Sequence, residues 1–153
     1  MPSLELKVPP VPLAGVFAAA MLGLSSLTPA ATFVLPGRMG ISLGLVVLGF
    51  AIALAGVVAF RAHKTTVNPL TPGASSVVVS SGVYRFSRNP MYLGFLLALV
   101  GWAIYLSNAL AALLLPAFVA YMNRFQIKPE ERVLLAKFGS QFSRYMASVR
   151  RWV

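Results

Sequence analysis

A run of uncharged, mostly apolar residues from position 41 to position 60 constrains this chain more than any other feature of its sequence. An α-helix rises 1.5 Å per residue, so about 20 residues cross the hydrocarbon core of a bilayer, which is about 30 Å thick. Within lipid, a lone segment must satisfy its own backbone hydrogen bonds, and a helix does so. The run therefore predicts a membrane-spanning helix.

The composition of the whole chain agrees with lipid as its solvent. Of the 153 residues, 58% are hydrophobic and 10% are charged, whereas charged residues make up about 25% of a typical soluble domain. A chain of this length suggests one domain, here a membrane domain covering residues 1–153. A second uncharged run, residues 11–27, predicts another span.

The apolar stretch from residue 90 to residue 122 is interrupted by Ser107 and Asn108. This pattern predicts a helical hairpin with its turn at these two residues. Pro116 should kink the returning helix, because proline removes a backbone donor. We therefore expect an all-α integral membrane bundle of about four transmembrane helices, the last two forming the hairpin.

Two further segments are more polar. Residues 61–89 contain several prolines and serines and are too polar to face lipid as irregular backbone, so they should lie at the membrane surface. Residues 128–149 predict one amphipathic helix, with Pro129 in its first turn. Its apolar stripe recurs at three-to-four spacing and consists of Leu134, Phe138, Phe142, Tyr145 and Val149.

The basic residues predict the orientation of the bundle. The formal net charge is +10, but the Lys and Arg residues lie between and after apolar runs, which indicates contacts with lipid headgroups rather than with nucleic acid. With four spans, all 13 Lys and Arg residues except Arg38 fall on one side. The positive-inside rule makes that side cytoplasmic, with both termini and residues 61–89 on it. The membrane would be the plasma membrane in a prokaryote and the endoplasmic reticulum in a eukaryote.

The inventory of reactive side chains is short. The chain has no cysteine, and His63 is its only histidine, so disulfides, thiolate nucleophiles and multi-histidine metal sites are excluded. We expect no metal. Any chemistry must use the arginines, lysines, tyrosines, amides and three glutamates, or a cofactor.

Polar residues cluster in two places, residues 80–92 and 123–131. They flank the two cytoplasmic ends of the predicted hairpin, so topology makes them neighbours and candidates for one site. Structural interpretations exist as well. Arg88 is typical of a headgroup-level cation, Asn89 of a helix cap, and Glu130 and Glu131 of partners for a helix dipole.

The order of residues in these clusters resembles the isoprenylcysteine carboxyl methyltransferase and related phospholipid methyltransferase families. Gly82-Val83-Tyr84 matches a GxY pattern, and residues 88–94 (RNPMYLG) match the R-[HN]-P-x-Y-x-G pattern that follows it. Residues 65–69 (TTVNP) resemble the segment preceding this pattern in bacterial members. Further matches are Arg124, Glu130-Glu131, Phe138-Gly139, Tyr145 and Arg150-Arg151-Trp152. The resemblance covers about residues 61–152.

The resemblance implies an S-adenosylmethionine-dependent methyltransferase that releases S-adenosylhomocysteine and acts on a lipophilic or lipidated acceptor from the bilayer. It places Arg124 and Glu131 in the catalytic set, with Arg124 and Gln126 contacting substrate. The positions it assigns to the cofactor are Asn68, Ser76, Val77, Val78, Val79, Tyr84, Arg88, Asn89, Pro90, Met91, Tyr92 and Glu130. The prenylcysteine enzymes have His at the positions of Asn89 and Ser76, so the acceptor stays open.

Two other functions fit the same sequence. One is a membrane reductase of the sterol-reductase type, whose basic residues would bind the phosphates of NADPH. The other is a non-catalytic scaffold whose basic face binds anionic lipid. Saturable binding of S-adenosylmethionine, of NADPH or of neither distinguishes the three. The sequence does not indicate an oligomeric state.

Overall fold

A computed structural model describes residues 4–65 and 68–153. Within these residues the chain is helical, and its only β-type pairing is an isolated bridge between Thr32 and Asn108. The helices are α1 (Pro10–Leu27), α2 (Arg38–Ala62), α3 (Pro90–Leu106), α4 (Ala109–Ala112), α5 (Leu114–Tyr121), α6 (Lys128–Phe138) and α7 (Ser140–Ser148). The expected all-α architecture is confirmed.

Three helical stretches are long and apolar enough to cross a membrane. They are α1, α2 and the continuous stretch Ala109–Phe138. Helix α3 is equally apolar but has only 17 residues, about 25 Å of helix at 1.5 Å per residue. The predicted bundle of about four membrane helices therefore consists of three full-length spans and one shorter helix.

Helices α2 and α3 pack closely because small residues line their contact. A Cβ atom added to Gly49 would lie 2.5 Å from the carbonyl oxygen of Gly94. Near the other end of the contact, Ser42 Oγ donates to the carbonyl oxygen of Gly101 at 2.7 Å. The exposed side of α2 carries large apolar residues such as Phe50 and Leu54, as expected for a face turned to lipid.

The turn of the hairpin lies where the sequence predicts it. Ser107 ends α3 with a positive φ of 48°. Asn108 caps α4 by accepting a hydrogen bond from the backbone N–H of Ala111 at 2.9 Å. It also donates to the carbonyl oxygen of Thr28 at 2.8 Å, which ties the turn to the end of α1.

The returning helix differs from a simple kinked span. Helix α4 ends at Ala112, four residues before Pro116, because the proline lacks the N–H that would bond this carbonyl. After α5, a π-helical turn, Met122–Ile127, continues directly into α6. The predicted gap between the hairpin and the amphipathic helix is therefore closed by one helical stretch.

The predicted single amphipathic helix over residues 128–149 is instead divided in two. Gly139 has a φ of 50° and separates α6 from α7, and this backbone conformation favours glycine. The break turns α7 so that Phe142 and Tyr145 become buried. They pack with Val79 and Tyr84 in a small core beside the main one.

Candidate functional site

A pocket lies at the end of the bundle where Glu5 and Leu6, before α1, and Arg151, after α7, contact the rest of the chain. We call this end the polar end. Phe60 at the end of α2 contributes one side of it, and the irregular chain from residue 68 to residue 79 covers another. The start of α3, the first turn of α6 and part of α7 complete the pocket. Residues distant in sequence therefore converge on one cavity.

Most of the residues assigned to a site by sequence lie around this cavity. The predicted residues that line it are Asn68, Val77, Val78, Val79, Tyr84, Arg88, Asn89, Met91, Tyr92, Glu130 and Glu131. The upstream pattern at residues 65–69 is only partly visible, since Thr66 and Val67 lie outside the described residues.

Four predicted residues lie outside the lining. Pro90 is buried at the start of α3, and the backbone N–H of Ser76 donates to the hydroxyl of Thr65 at 2.9 Å. Gln126 is buried behind the pocket. Arg124 is 61% exposed and lines a second, neighbouring pocket.

The three carboxylates of the chain differ in their partners. Glu5 contacts Arg124 and Arg132. Glu131 contacts Arg88 at 2.8 Å and Arg151 at 2.6 Å. Glu130 forms no ion pair with any described residue, although it lines the cavity. Burial disfavours the ionised form of a carboxylate without a cation, and a cationic ligand would stabilise that form.

A tyrosine orients Glu130. Tyr92 Oη donates to Glu130 Oε2 at 3.1 Å. Gln126, in the π-helical turn, donates to the carbonyl oxygen of Pro69 at 2.9 Å and to Tyr92 Oη at 3.4 Å. These contacts connect the covering segment to Glu130 through Gln126 and Tyr92. Gln126 therefore positions pocket residues from behind.

Tyr84 brings an unsatisfied hydroxyl to the same cavity. The 3-10 turn Gly82–Arg85 buries its side chain, with its ring 5.2 Å from that of Phe60. No described residue hydrogen-bonds its Oη. Burial, and next the charge of Glu130, raise the pKa of Tyr84 above its ordinary value. The hydroxyl therefore stays protonated and has a free hydrogen to donate.

Tyr145 supports Tyr84 from α7. Its hydroxyl donates to the backbone carbonyl oxygen of Tyr84 at 2.8 Å, and burial raises the pKa of Tyr145 to about 12. Sequence reasoning placed Tyr145 on an apolar stripe without assigning it to the site. Leu134 and Phe142 on the same stripe, and Phe60 at the end of the predicted span 41–60, are further lining residues that the sequence did not assign to the site. An apolar pattern does not reveal which surface it covers.

Arg88 and Asn89 hold the C-terminal tail. Arg88 Nη1 donates to the carbonyl oxygens of Met146 and Val149 at 2.7 and 2.8 Å. Asn89 Nδ2 donates to the carbonyl oxygen of Arg151 at 2.9 Å. The Arg88 Nε atom has no partner among the described residues. These polar groups therefore hold the C-terminal residues beside the pocket.

The cavity has a volume of about 70 Å³, enough for a few water molecules. Its lining is mostly apolar and includes Val77, Val78 and Phe142, which belong to the small core around Tyr84. This volume is below the range of about 300–1,000 Å³ that is typical of sites for organic ligands, so a larger ligand requires the pocket to widen. The donors and the carboxylate suit a ligand that combines a cation with hydrogen-bonding groups and an apolar ring.

Several known proteins are similar in sequence to part of this chain. A Haemophilus influenzae protein of uncharacterised function is 46% identical over 63 residues, which are 41% of this chain and all of that protein. Protein-S-isoprenylcysteine O-methyltransferase A of Arabidopsis thaliana is 40% identical over 75 residues, 47% of this chain and 36% of the relative. A probable protein-S-isoprenylcysteine O-methyltransferase of Oryza sativa subsp. japonica is 31% identical over 112 residues, 71% of this chain and 57% of the relative.

The chain therefore spans about a third to just over half of the length of these two plant enzymes. No solved structure matches it. The phospholipid methyltransferase family matches residues 38–141, from the first residue of α2 into α7, and this region contains most of the pocket. This chain belongs to the phospholipid methyltransferase family.

Proposed function

We propose that this chain transfers a methyl group from S-adenosylmethionine to a lipophilic acceptor that reaches the site from the bilayer. The observation that carries the proposal is Glu130, a pocket carboxylate with a tyrosine donor and no cation among the described residues. S-adenosylmethionine supplies an electrophilic methyl group on a positively charged sulfonium, beside a protonated amino group. Glu130 complements that charge.

The other pocket residues suit the remaining parts of this cofactor. The free hydrogen of the Tyr84 hydroxyl can be donated to a cofactor oxygen or nitrogen. Val77, Val78 and Phe142 offer apolar surface for an adenine ring. Because the cavity is small, we propose that binding widens it by an outward movement of residues 68–79, which cover it.

The catalytic demand on the protein is modest. Methyl transfer is an in-line displacement, so holding the acceptor in line and excluding water supply much of the rate. An acceptor carboxylate is already ionised at neutral pH and needs no strong base. Arg124 would orient an anionic group of the acceptor, since a guanidinium matches carboxylate and phosphate geometry. Glu131 would act by holding Arg88 and Arg151 at the border of the pocket.

The acceptor class follows from the relatives and from the surroundings of the site. The plant relatives are named as isoprenylcysteine O-methyltransferases, and the family that matches is named for phospholipids. Both names refer to amphiphiles, which can diffuse within a bilayer. With the three candidate spans in a bilayer, the pocket would lie close to the membrane surface. The proposal therefore names an amphiphilic acceptor and leaves its exact identity open.

We further propose that the polar end faces the cytoplasm. The basic residues of the chain concentrate near its termini and in residues 61–89, whereas Arg38 lies at the opposite end of α2, where it stacks over Tyr105. The positive-inside rule then orients the bundle. Both termini and the pocket would share the cytoplasmic side.

Calorimetric titration of the purified full-length protein with S-adenosylhomocysteine tests the cofactor assignment. Wild-type protein should bind saturably, and Glu130→Gln should bind at least tenfold more weakly, because the variant keeps the shape and loses the charge. Glu5→Gln is the matched control: it removes the same charge from a carboxylate that does not line this pocket.

Failure of folded wild-type protein to bind the ligand would overturn the proposal. Saturable NADPH binding instead would indicate the reductase. This outcome is not expected, since the carboxylate of Glu130 would repel phosphates and Arg88 is already held by Glu131. Binding of neither ligand would indicate the scaffold.

A further inference from the structure

A second pocket adjoins the first at the polar end, with a volume of about 380 Å³. Glu131 lines both pockets and so forms the border between them. The basic residues around the second pocket are Arg124, Lys128, Arg132 and Arg151, and its apolar residues are Leu135 and Met146. Cations beside an apolar surface suit a ligand with an anionic head and a hydrocarbon tail.

Two of these arginines already hold an anion, the side chain of Glu5. Arg124 Nη1 lies 2.9 Å from Glu5 Oε1, and Arg132 Nη2 contacts the other carboxylate oxygen. The arginine side chains are 61% and 65% exposed, and Glu5 is 25% exposed. The two guanidinium groups therefore converge on a single carboxylate in a geometry that would also accept a phosphate.

The segment carrying Glu5 lies beside the π-helical turn. It precedes α1, and its contact with the π-helical turn includes one backbone hydrogen bond, from Leu6 N–H to the carbonyl oxygen of Phe125 at 2.9 Å. Leu6 has a φ of 55°, a conformation that a leucine rarely adopts. Exposed ion pairs add little stability. An external anion can therefore compete with Glu5 for these arginines.

The neighbouring carboxylate does not prevent such binding. Glu131 is neutralised by Arg88 and Arg151, so its charge is compensated where the pockets meet. Lys128 remains as a further cation on the same pocket. Once Glu5 leaves, the positive charges of Arg124, Arg132 and Lys128 favour the binding of another anion.

We propose that Arg124 and Arg132 bind the anionic headgroup, carboxylate or phosphate, of a membrane amphiphile, and that Glu5 occupies this site until the amphiphile displaces it. The N-terminal segment is thus an internal competitor. Naming the amphiphile as the methyl acceptor rests on the proposed function. The existence of the binding site and of its competitor does not depend on that function, and both are tested without a methyl donor.

The experiment is calorimetric titration of the full-length protein, in a non-ionic detergent, with dodecyl phosphate. Glu5→Gln should bind this probe about threefold to tenfold more tightly than wild type, because a site occupied for part of the time by a competitor has a proportionally weaker apparent affinity. The double variant Arg124→Ala/Arg132→Ala should lose saturable binding. Arg144→Ala, an exposed arginine of α7 that does not line the pocket, should bind as wild type does.

Equal affinity of wild type and Glu5→Gln would overturn the competitor, and unchanged binding by the double variant would overturn the site. Inorganic phosphate, titrated alone, should bind far more weakly than dodecyl phosphate; equal affinity would mean a free-phosphate site and would overturn the amphiphile. Circular dichroism verifies that each variant is folded. If the double variant unfolds, the comparison of wild type with the near-isosteric Glu5→Gln variant still tests the competitor. If wild-type protein binds dodecyl phosphate but not S-adenosylhomocysteine, the proposed function is overturned and the amphiphile site is not.

Discussion

The hydroxyl of Tyr92 donates to the carboxylate of Glu130 across 3.1 Å and so joins the first turn of α3 to the first turn of α6. Within the described residues, this hydrogen bond is the one that fixes the direction of the Glu130 side chain. Tyr92 is itself buried and is contacted from behind by Gln126. The carboxylate that carries the proposed function is therefore set in place by a neighbouring span.

Tyr92→Phe should weaken S-adenosylhomocysteine binding by about tenfold or more while the protein stays folded. A hydrogen bond to a charged group contributes about 1.5–3 kcal/mol, and without it Glu130 is no longer held toward the ligand. Calorimetry measures the change. Tyr121→Phe is the control, since Tyr121 packs on Phe125 away from the pocket lining. Equal dissociation constants for Tyr92→Phe and wild type would contradict this role.

Tyr84→Phe should have opposite effects on stability and on binding. The buried hydroxyl has no partner among the described residues, and leaving such a group unsatisfied costs about 1–3 kcal/mol. Its removal should leave the unliganded protein as stable or more stable, and cofactor affinity should fall. Unfolding in denaturing detergent and calorimetry measure the two effects.

Tyr145→Phe should lower stability, in contrast to Tyr84→Phe. Its hydroxyl donates to the carbonyl oxygen of Tyr84 at 2.8 Å, so its loss should destabilise the protein by about 1 kcal/mol. A Tyr84→Phe variant as destabilised as Tyr145→Phe would show that the Tyr84 hydroxyl has a structural partner.

Glu131→Gln should destabilise the protein by about 3 kcal/mol. Removing one partner of a buried ion pair leaves uncompensated charge and costs about 3–5 kcal/mol. Glu131 is 15% exposed and Arg88 is 12% exposed, and Arg151 would lose its partner as well. Reversible unfolding in denaturing detergent measures the loss. Glu5→Gln, in an exposed ion-pair cluster, should change stability little; similar losses in the two variants would be inconsistent with a special role for the Arg88–Glu131 pair.

Gly49→Ala should destabilise the contact between α2 and α3 by about 2 kcal/mol or more, because the new Cβ would lie 2.5 Å from the carbonyl oxygen of Gly94 and overpacking a tight contact typically costs about 1–3 kcal/mol. Gly44→Ala is the control on the same helix, since a Cβ there meets no described atom within 4 Å. Its stability should be unchanged or slightly raised, as alanine favours helix. Equal losses in both variants would argue against the close contact.

Some features of this protein follow from the sequence alone because their causes are local. An uncharged run of sufficient length must span lipid as a helix, and so α2 is recognisable without its neighbours. Ser107 and Asn108 interrupt the apolar stretch, and the turn lies there. The ordered pattern around Asn89 indicated the family that the comparison with known proteins then showed.

Other features depended on contacts between distant segments. Gly139 is compatible with a helix end, but the sequence favoured a continuous amphipathic stripe, and only the packing of α7 against Tyr84 decides the break. Gly44 and Gly49 look equivalent in sequence, yet only Gly49 faces α3. A helical period identifies a face but not its partner.

The charged residues show most clearly which features the sequence determines and which depend on the tertiary structure. The sequence by itself determined that three glutamates and 13 Lys and Arg residues share this chain, and it predicted that most of them lie on one side of the membrane. Only the tertiary structure decided which carboxylate has which partner: Glu131 has Arg88 and Arg151, Glu5 has two exposed arginines, and Glu130 has Tyr92. The physical reason is that ion pairing depends on distances of a few ångströms between groups up to 127 residues apart, which no local pattern encodes.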